Sequence, residues 1–237
     1  MPEATLAGHP SHEEHSHAHP RLVHHFRHLG QQKEAASLGM WVFLAQEVMF
    51  FGGLFFAYTL YRNLYHGAFE LGSHLLDWRL GAGNTIVLIG SSVTMAMAVH
   101  SAALGKRKAI VGWLVATILL GSVFLGVKVV EYADKFHHNL VPGASFGQPY
   151  PGMDPHHGIP EHMRRPTQIY YSLYFAMTGL HALHMIVGIP ILAGIAWFAW
   201  KGEYSARFHT PVEMVGLYWH FVDIVWIFLF PLLYLIH

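Results

Sequence analysis

No Asp, Glu, Lys or Arg occurs between Arg165 and Lys201, an interval of 35 residues. A helix needs about 20 apolar residues to cross the hydrocarbon of a bilayer, so an uncharged run of this length reads as a membrane span with residues to spare. Four further intervals carry few or no charges. The expected spans are 38–61, with Glu47 as its one charge, 83–104 with none, 109–132, 170–200, and 212–236, with Glu213 at its edge and Asp223 inside. The two-residue alternation of a membrane β-barrel strand is absent, so the spans are read as helices. The expected fold class is an all-α membrane protein, a bundle of five transmembrane helices (38–237) behind a loosely ordered, His-rich polar tail (1–37). The segment 133–168, rich in Gly, Pro and His, is expected to form an irregular cap.

Composition narrows the chemistry. Charged residues make up 12%, against roughly 25% in soluble domains. Lys plus Arg equals Asp plus Glu at 14 each, so no global field draws in a polyanion, and no nucleic-acid partner is expected. With no cysteine, thiolate metal sites and thiol nucleophiles are excluded, and any metal ligand would be His or carboxylate. Histidine is abundant at 21 residues, but eight fall in the tail, where a flexible segment without fixed geometry is the expected state. Tyr170, Tyr171 and Tyr174 at one end of the fourth span, and Trp197 and Trp200 at the other, are expected as interfacial aromatic belts.

Orientation follows from the basic residues. With five spans, the side of the amino terminus holds Arg21, Arg27, Lys33, Lys106, Arg107, Lys108, Lys201 and Arg207, and the opposite side Arg62, Arg79, Lys135, Arg164 and Arg165. Eight against five predicts a cytoplasmic amino terminus and a periplasmic carboxyl terminus.

Ionisable groups at bilayer depth cost about 2.5–3.5 kcal/mol each on insertion scales, so they face protein or water and invite a functional question. Here they are Glu47, Lys128, Glu131 and Asp223, with His100, His181, His184 and His220. Lys128 and Glu131, three apart, are expected to form a structural ion pair. His220 and Asp223, also three apart, suit either a carboxylate-oriented imidazole, for a metal or proton relay, or hydrogen bonds between helices; the packing role is expected. His181 and His184 share a helix face, but the accompanying glutamates of a di-iron bundle are missing. Gly112 and Ala116, with the small residues around His181 and His184, are expected to make close-packing faces. Glu47 has Phe43, Phe50, Phe51 and Leu54 on its face. Two readings stand: a carboxyl taking part in proton movement, or one hydrogen-bonded to a neighbouring helix through Gln46 or a membrane histidine. No catalytic or metal-binding residue is expected in this chain.

The stretches Phe43-Leu44-Ala45-Gln46-Glu47-Val48-Met49-Phe50-Phe51, Glu131-Tyr132, Thr178-Gly179-Leu180-His181-Ala182-Leu183-His184-Met185-Ile186-Val187-Gly188 and Tyr218-Trp219-His220-Phe221-Val222-Asp223-Ile224-Val225-Trp226 together resemble subunit III of the haem-copper oxygen reductases, in the family's order and in register with the spans. Glu47 matches that family's buried glutamate, and Glu213 with His209 its pattern ahead of the last helix. The resemblance implies a non-catalytic subunit of a terminal oxidase of the bacterial plasma membrane. Its partners would be subunits I and II, which carry the haem and copper, and membrane phospholipid. Cytochrome c would be the electron donor to the complex, and the subunit would support proton uptake during oxygen reduction. Many members have two additional amino-terminal helices that form a lipid-holding cleft; here the His-rich tail stands in their place. Five-helix members belong to cytochrome c oxidases, to quinol oxidases and to nitric-oxide-reductase neighbourhoods. A stand-alone proton channel or transporter, built on Glu47, Lys128, Glu131 and Asp223, is the reading from another class, and the repeated halves and interrupted helices frequent in transporters are absent.

Overall fold

A computed structural model describes residues 29–148, 159–206 and 208–236. Among them are six helices: α1 (Leu29–Leu64), α2 (His66–His74), α3 (Trp78–Ala103), α4 (Arg107–His137), α5 (Glu161–Lys201) and α6 (Thr210–Tyr234). All but α2 are long and apolar enough to cross a membrane. They coincide with the five expected spans and run past most of their ends. Residues 29–37, expected as the last part of the tail, already form the first turns of α1, and residues 161–168, expected in the cap, begin α5. The tail's histidines, with Arg21, Arg27 and Arg207, lie outside the described residues.

Helix ends follow local chemistry. Asp77 caps α3, accepting from the backbone N–H groups of Arg79 at 2.9 Å and Leu80 at 3.3 Å. Gly202 ends α5 with φ of 84°, a left-handed C-cap that disfavours any residue with a Cβ. Pro211 opens α6, where its missing N–H costs nothing. At the far end of α6, the Tyr58 hydroxyl donates to the Leu232 carbonyl and that of Tyr170 to the Leu233 carbonyl at 2.7 Å, satisfying acceptors the helix leaves open.

Helices α3, α4, α5 and α6 close into a ring, each packed on its neighbours, and α1 lies against the seam of α5 and α6. Trp219 fills the centre. It is fully buried, its Nε1 donates to Ser91 Oγ at 2.7 Å, and a Cβ added at Gly121 would stand 2.9 Å from its ring. This is the close-packed face of α4. Gly112, expected in that role, meets nothing within 4 Å and faces outward, because the rotation of α4 points Gly121 rather than Gly112 at the core. The exterior is studded with exposed Leu, Ile, Val, Phe and Trp, as a surface bathed in hydrocarbon requires.

Two groups of turns mark the ends of the bundle. The start of α1, the α3–α4 turn and the α5–α6 turn lie together: Lys33 pairs with Glu213, and a Cβ at Gly105 would sit 3.4 Å from the Ala206 backbone nitrogen. At the other end α2 lies beneath α5, with Gly72 against the Tyr170 ring, and the backbone N–H of Ile236 reaches Ser73 Oγ. Tyr170, Tyr171 and Tyr174 are fully buried here rather than forming a headgroup belt, because their hydroxyls and rings fill the space between α2, α4, α5 and α6. Trp197 and Trp200 are exposed at the opposite end, where a belt was expected.

Candidate functional site

Buried polarity is concentrated in three places, and each joins helices that the sequence alone does not bring together. The first joins α4, α5 and α6. Lys128 Nζ lies 2.8 Å from Glu131 Oε2, with both side chains 3–4% exposed, so the expected ion pair forms and is deeply buried. Glu131 Oε1 accepts from the hydroxyls of Tyr174, at 2.8 Å, and Tyr234. Lys128 also reaches the Tyr234 oxygen at 3.0 Å and stands 4.9 Å from the Trp226 ring. Every charge in the cluster is thus answered by a bond or by a ring face, the arrangement under which a buried pair is tolerated. Tyr174 was expected in an aromatic belt rather than as a partner of Glu131, and Tyr234 was not singled out in the sequence.

The second place joins α1, α5 and α6 at Glu47, which lies halfway along α1 and is 8% exposed. Its Oε2 approaches His184 Nε2 at 3.3 Å. His184 Nδ1 is 2.9 Å from the Leu180 carbonyl, which can only accept, so Nδ1 carries a proton. Nε2 faces Glu47 within ion-pair distance, and Glu47 Oε2 has no hydrogen-bond partner among the described residues. The Tyr218 hydroxyl fixes this part of α5 by donating to the His184 carbonyl at 2.9 Å, and Phe51 stacks 5.6 Å from the imidazole. Of the two partners expected for Glu47, the membrane histidine is the one it meets. Gln46 turns away and is exposed on the outer face of α1. Alongside runs a membrane-facing groove of about 410 Å³, walled by Met40, Phe43, Leu183, Val187 and Tyr218 with His184 at its floor.

The third place joins α3 and α6. His220 Nδ1 meets Ser92 Oγ at 2.7 Å, and Asp223 has no hydrogen-bond partner for either oxygen among the described residues. The spacing suggested that His220 and Asp223 pair, but the imidazole instead takes the hydroxyl that α3 presents. The bond between helices expected for this pair is present through His220.

The histidines do not converge. His181 Nε2 meets the Val222 carbonyl at 3.1 Å, with its ring between Phe124 and Trp226, whereas His184, three residues on, faces Glu47. His100 is exposed in the last turn of α3. Glu213 bridges Lys33 at 3.1 Å and His209 at 3.0 Å near the bundle end. Among the described residues no three His, Asp or Glu side chains are grouped to hold a metal, and His181, His184 and His220 each direct a ring nitrogen to a different partner.

The sequence that builds this bundle matches a known family. The family profile described as cytochrome c oxidase subunit III covers residues 23–150 and 165–237. The chain belongs to this family. It is 32% identical over 210 residues to the cytochrome c oxidase subunit 3 of Thermostichus vulcanus, covering 88% of this chain and 91% of that one. It is 33% identical to the subunit 3 of the same name from Corynebacterium diphtheriae, over 84% of this chain and 87% of the other. The quinol oxidase subunit 3 of Bacillus spizizenii is 31% identical, over 84% and 85%. The subunit III relationship spans all five membrane helices, and the protein is an integral membrane component of the terminal-oxidase class.

Proposed function

We propose that this chain is the non-catalytic subunit III of a terminal oxidase of the cytochrome c type. In this reading it packs against subunit I in a complex that also holds subunit II, and it stabilises the catalytic subunit while the complex reduces oxygen to water. Haem and copper belong to those partners. The observation that carries the proposal is the match of the family across the whole bundle together with polar clusters that are spent on packing. A stand-alone channel needs a continuous polar path, and here the clusters at Lys128, Glu47 and Asp223 lie on three different helix seams with Trp219, Trp226 and Phe124 filling the space inside the ring.

The amino terminus is assigned to the cytoplasm and the carboxyl terminus to the periplasm. The support is the basic count and the clustering of Lys33, Lys106, Arg107, Lys108 and Lys201 at one end of the bundle. The apolar groove beside His184 is assigned to a phospholipid acyl chain. Glu47, set against His184, supports proton uptake indirectly by fixing the fold of α1 against α5 and by tuning a pathway that runs in subunit I.

The test is isolation of the tagged chain from its native membranes in mild detergent. Stoichiometric recovery with haem-bearing subunits is expected. Recovery alone, or in a complex without haem, would overturn the proposal.

A further inference from the structure

Two cavities follow one another along α1 where it meets α6. The first, about 320 Å³, opens at the end of the bundle that carries the basic turn and is walled by Lys33, Ala36, Phe208, Thr210 and Met214. The second is the apolar groove of about 410 Å³ beside His184. Ala36 of the first and Met40 of the second are one turn apart on α1, and Met214 and Val215 are successive residues of α6, so the two cavities adjoin. Their chemistry changes with depth. The outer cavity offers the Lys33 ammonium, 53% exposed, and the Thr210 hydroxyl, whereas the inner one offers Met40, Phe43, Leu183, Val187 and Val215. From Lys33 to Phe43 the helix rises about 15 Å, half of the roughly 30 Å hydrocarbon core of a bilayer. A polar mouth above an apolar trough one leaflet long has the shape of a single lipid molecule. The mouth also has a sign. Lys33, Lys106, Arg107, Lys108 and Lys201 stand at this end against Glu34, Glu203 and Glu213, and among the described residues only Lys33 of the five cations is in an ion pair, with Glu213 at 3.1 Å. An ammonium has three donors, and the Glu213 contact uses one of them.

We propose that one anionic phospholipid of the leaflet at this end lies along α1 and α6, with its phosphate on Lys33 and Thr210 and one acyl chain in the groove that ends at His184. The inference rests on the assignment of that groove to an acyl chain, and it adds the leaflet, the headgroup and the side chains that hold it. Lys33 donates a charge-assisted hydrogen bond to a phosphate oxygen, and the Thr210 hydroxyl donates a second. The four unpaired cations at the same end favour a headgroup that carries no ammonium of its own, which selects phosphatidylglycerol over phosphatidylcholine. The site is built by α1, the α5–α6 turn and α6 at the mouth and by α1, α5 and α6 at the groove, so it needs neither of the two additional helices that form the lipid-holding cleft of longer members.

The test places the purified complex in nanodiscs with phosphatidylglycerol that carries a diazirine either at the glycerol end or near the methyl end of one chain. After irradiation, adducts are mapped by peptide mass and normalised to those on Leu119 and Val123, which face bulk lipid on the exposed side of α4. The methyl-end probe is expected to mark Phe43, Leu183, Val187 and Tyr218, and the glycerol-end probe residues 33–36 and 210–214. Lys33→Gln is expected to lower both yields about tenfold, as loss of a charge-assisted hydrogen bond would. Glu213→Gln breaks the same ion pair but leaves the ammonium, and it is expected to keep both yields. An equal loss in the two variants would trace to the contact of α1 with α6 and overturn the role of Lys33 in holding phosphate, as would full labelling of Lys33→Gln. The same diazirines in phosphatidylcholine and in a free fatty acid are expected to label less, and equal or stronger labelling by either overturns the anionic phospholipid. Methyl-end adducts in the groove with glycerol-end adducts away from Lys33 refute this inference and leave the acyl-chain assignment standing, whereas no groove adduct from any probe refutes both.

Discussion

Replacing Glu131 with Leu leaves the Lys128 ammonium in a site where both side chains are 3–4% exposed, and it strands the hydroxyls of Tyr174 and Tyr234 that donate to Glu131. Removing one member of a buried pair costs about 3–5 kcal/mol. Each stranded hydroxyl adds about 1 kcal/mol unless it turns to another acceptor. The Trp226 ring, 4.9 Å from Lys128 Nζ, and the Tyr132 ring at 5.5 Å offset part of this, by about 1–2 kcal/mol for a desolvated cation over an aromatic face. The net expectation is a loss of about 3–6 kcal/mol for Glu131→Leu. The double variant Lys128→Met with Glu131→Leu removes both charges and is expected to regain more than half of it, since an apolar replacement of a buried pair is often nearly neutral. Reversible unfolding in mixed micelles, followed by tryptophan emission against the mole fraction of a denaturing detergent, measures all three variants. A coupling energy near zero, with the double variant as unstable as the sum of the singles, would refute the reasoning, as would a loss below about 1 kcal/mol for Glu131→Leu.

Three further outcomes follow from named contacts. Glu47→Gln keeps the shape and hydrogen-bonding capacity beside His184 and is expected to retain most oxygen reduction and proton pumping in the assembled complex, measured by oxygen uptake and proton release into the medium. Glu47→Ala, which leaves His184 Nε2 unanswered and a gap in the α1 seam, is expected to lose about 1–3 kcal/mol of stability; loss of pumping in Gln with normal haem content would make Glu47 an obligatory ionising carrier. Gly121→Val drives a methyl group into the Trp219 ring, 2.9 Å from where its Cβ would stand, and is expected to cost about 1–3 kcal/mol, whereas Gly112→Val, in open space, is expected to change thermal stability by less than about 0.5 kcal/mol. His181→Phe loses the bond to the Val222 carbonyl but keeps the ring between Phe124 and Trp226, so a loss of about 1 kcal/mol without change in the haem spectrum of the complex is expected.

What the sequence carries in its one-dimensional pattern is what the structure repeats. Intervals free of charge mark five helices because hydrocarbon penalises every acid and base in the same way, wherever the helix is packed. A spacing of three within a helix predicts Lys128 with Glu131, since that contact needs no knowledge of a neighbouring helix. The packing role expected at His220 is met through Ser92 of α3, a partner that spacing along α6 cannot name, and the small-residue pattern misleads at Gly112, where rotation of α4 selects Gly121 for the core. Aromatic residues at a span's end read equally as an interfacial belt or as core: Trp197 and Trp200 are exposed, whereas Tyr170 and Tyr174 are buried with their hydroxyls on the Leu233 carbonyl and Glu131, and Tyr171 is buried between their rings. Helix α2 escapes because nine residues between Arg62 and Trp78 are too few to show a period. The contact of Glu47 with a membrane histidine was anticipated in kind, while the choice of His184 depends on how α1 lies in the seam of α5 and α6.

The most direct measurement is the oxygen-reducing activity and visible spectrum of the purified complex before and after this chain is stripped from it with detergent. The account predicts that haem absorption stays entirely with the remaining subunits, that the separated chain is colourless and free of stoichiometric iron and copper, and that the stripped complex still transfers electrons to oxygen. A haem band that travels with this chain, or an immediate and complete loss of oxygen reduction while haem content is unchanged, would contradict it.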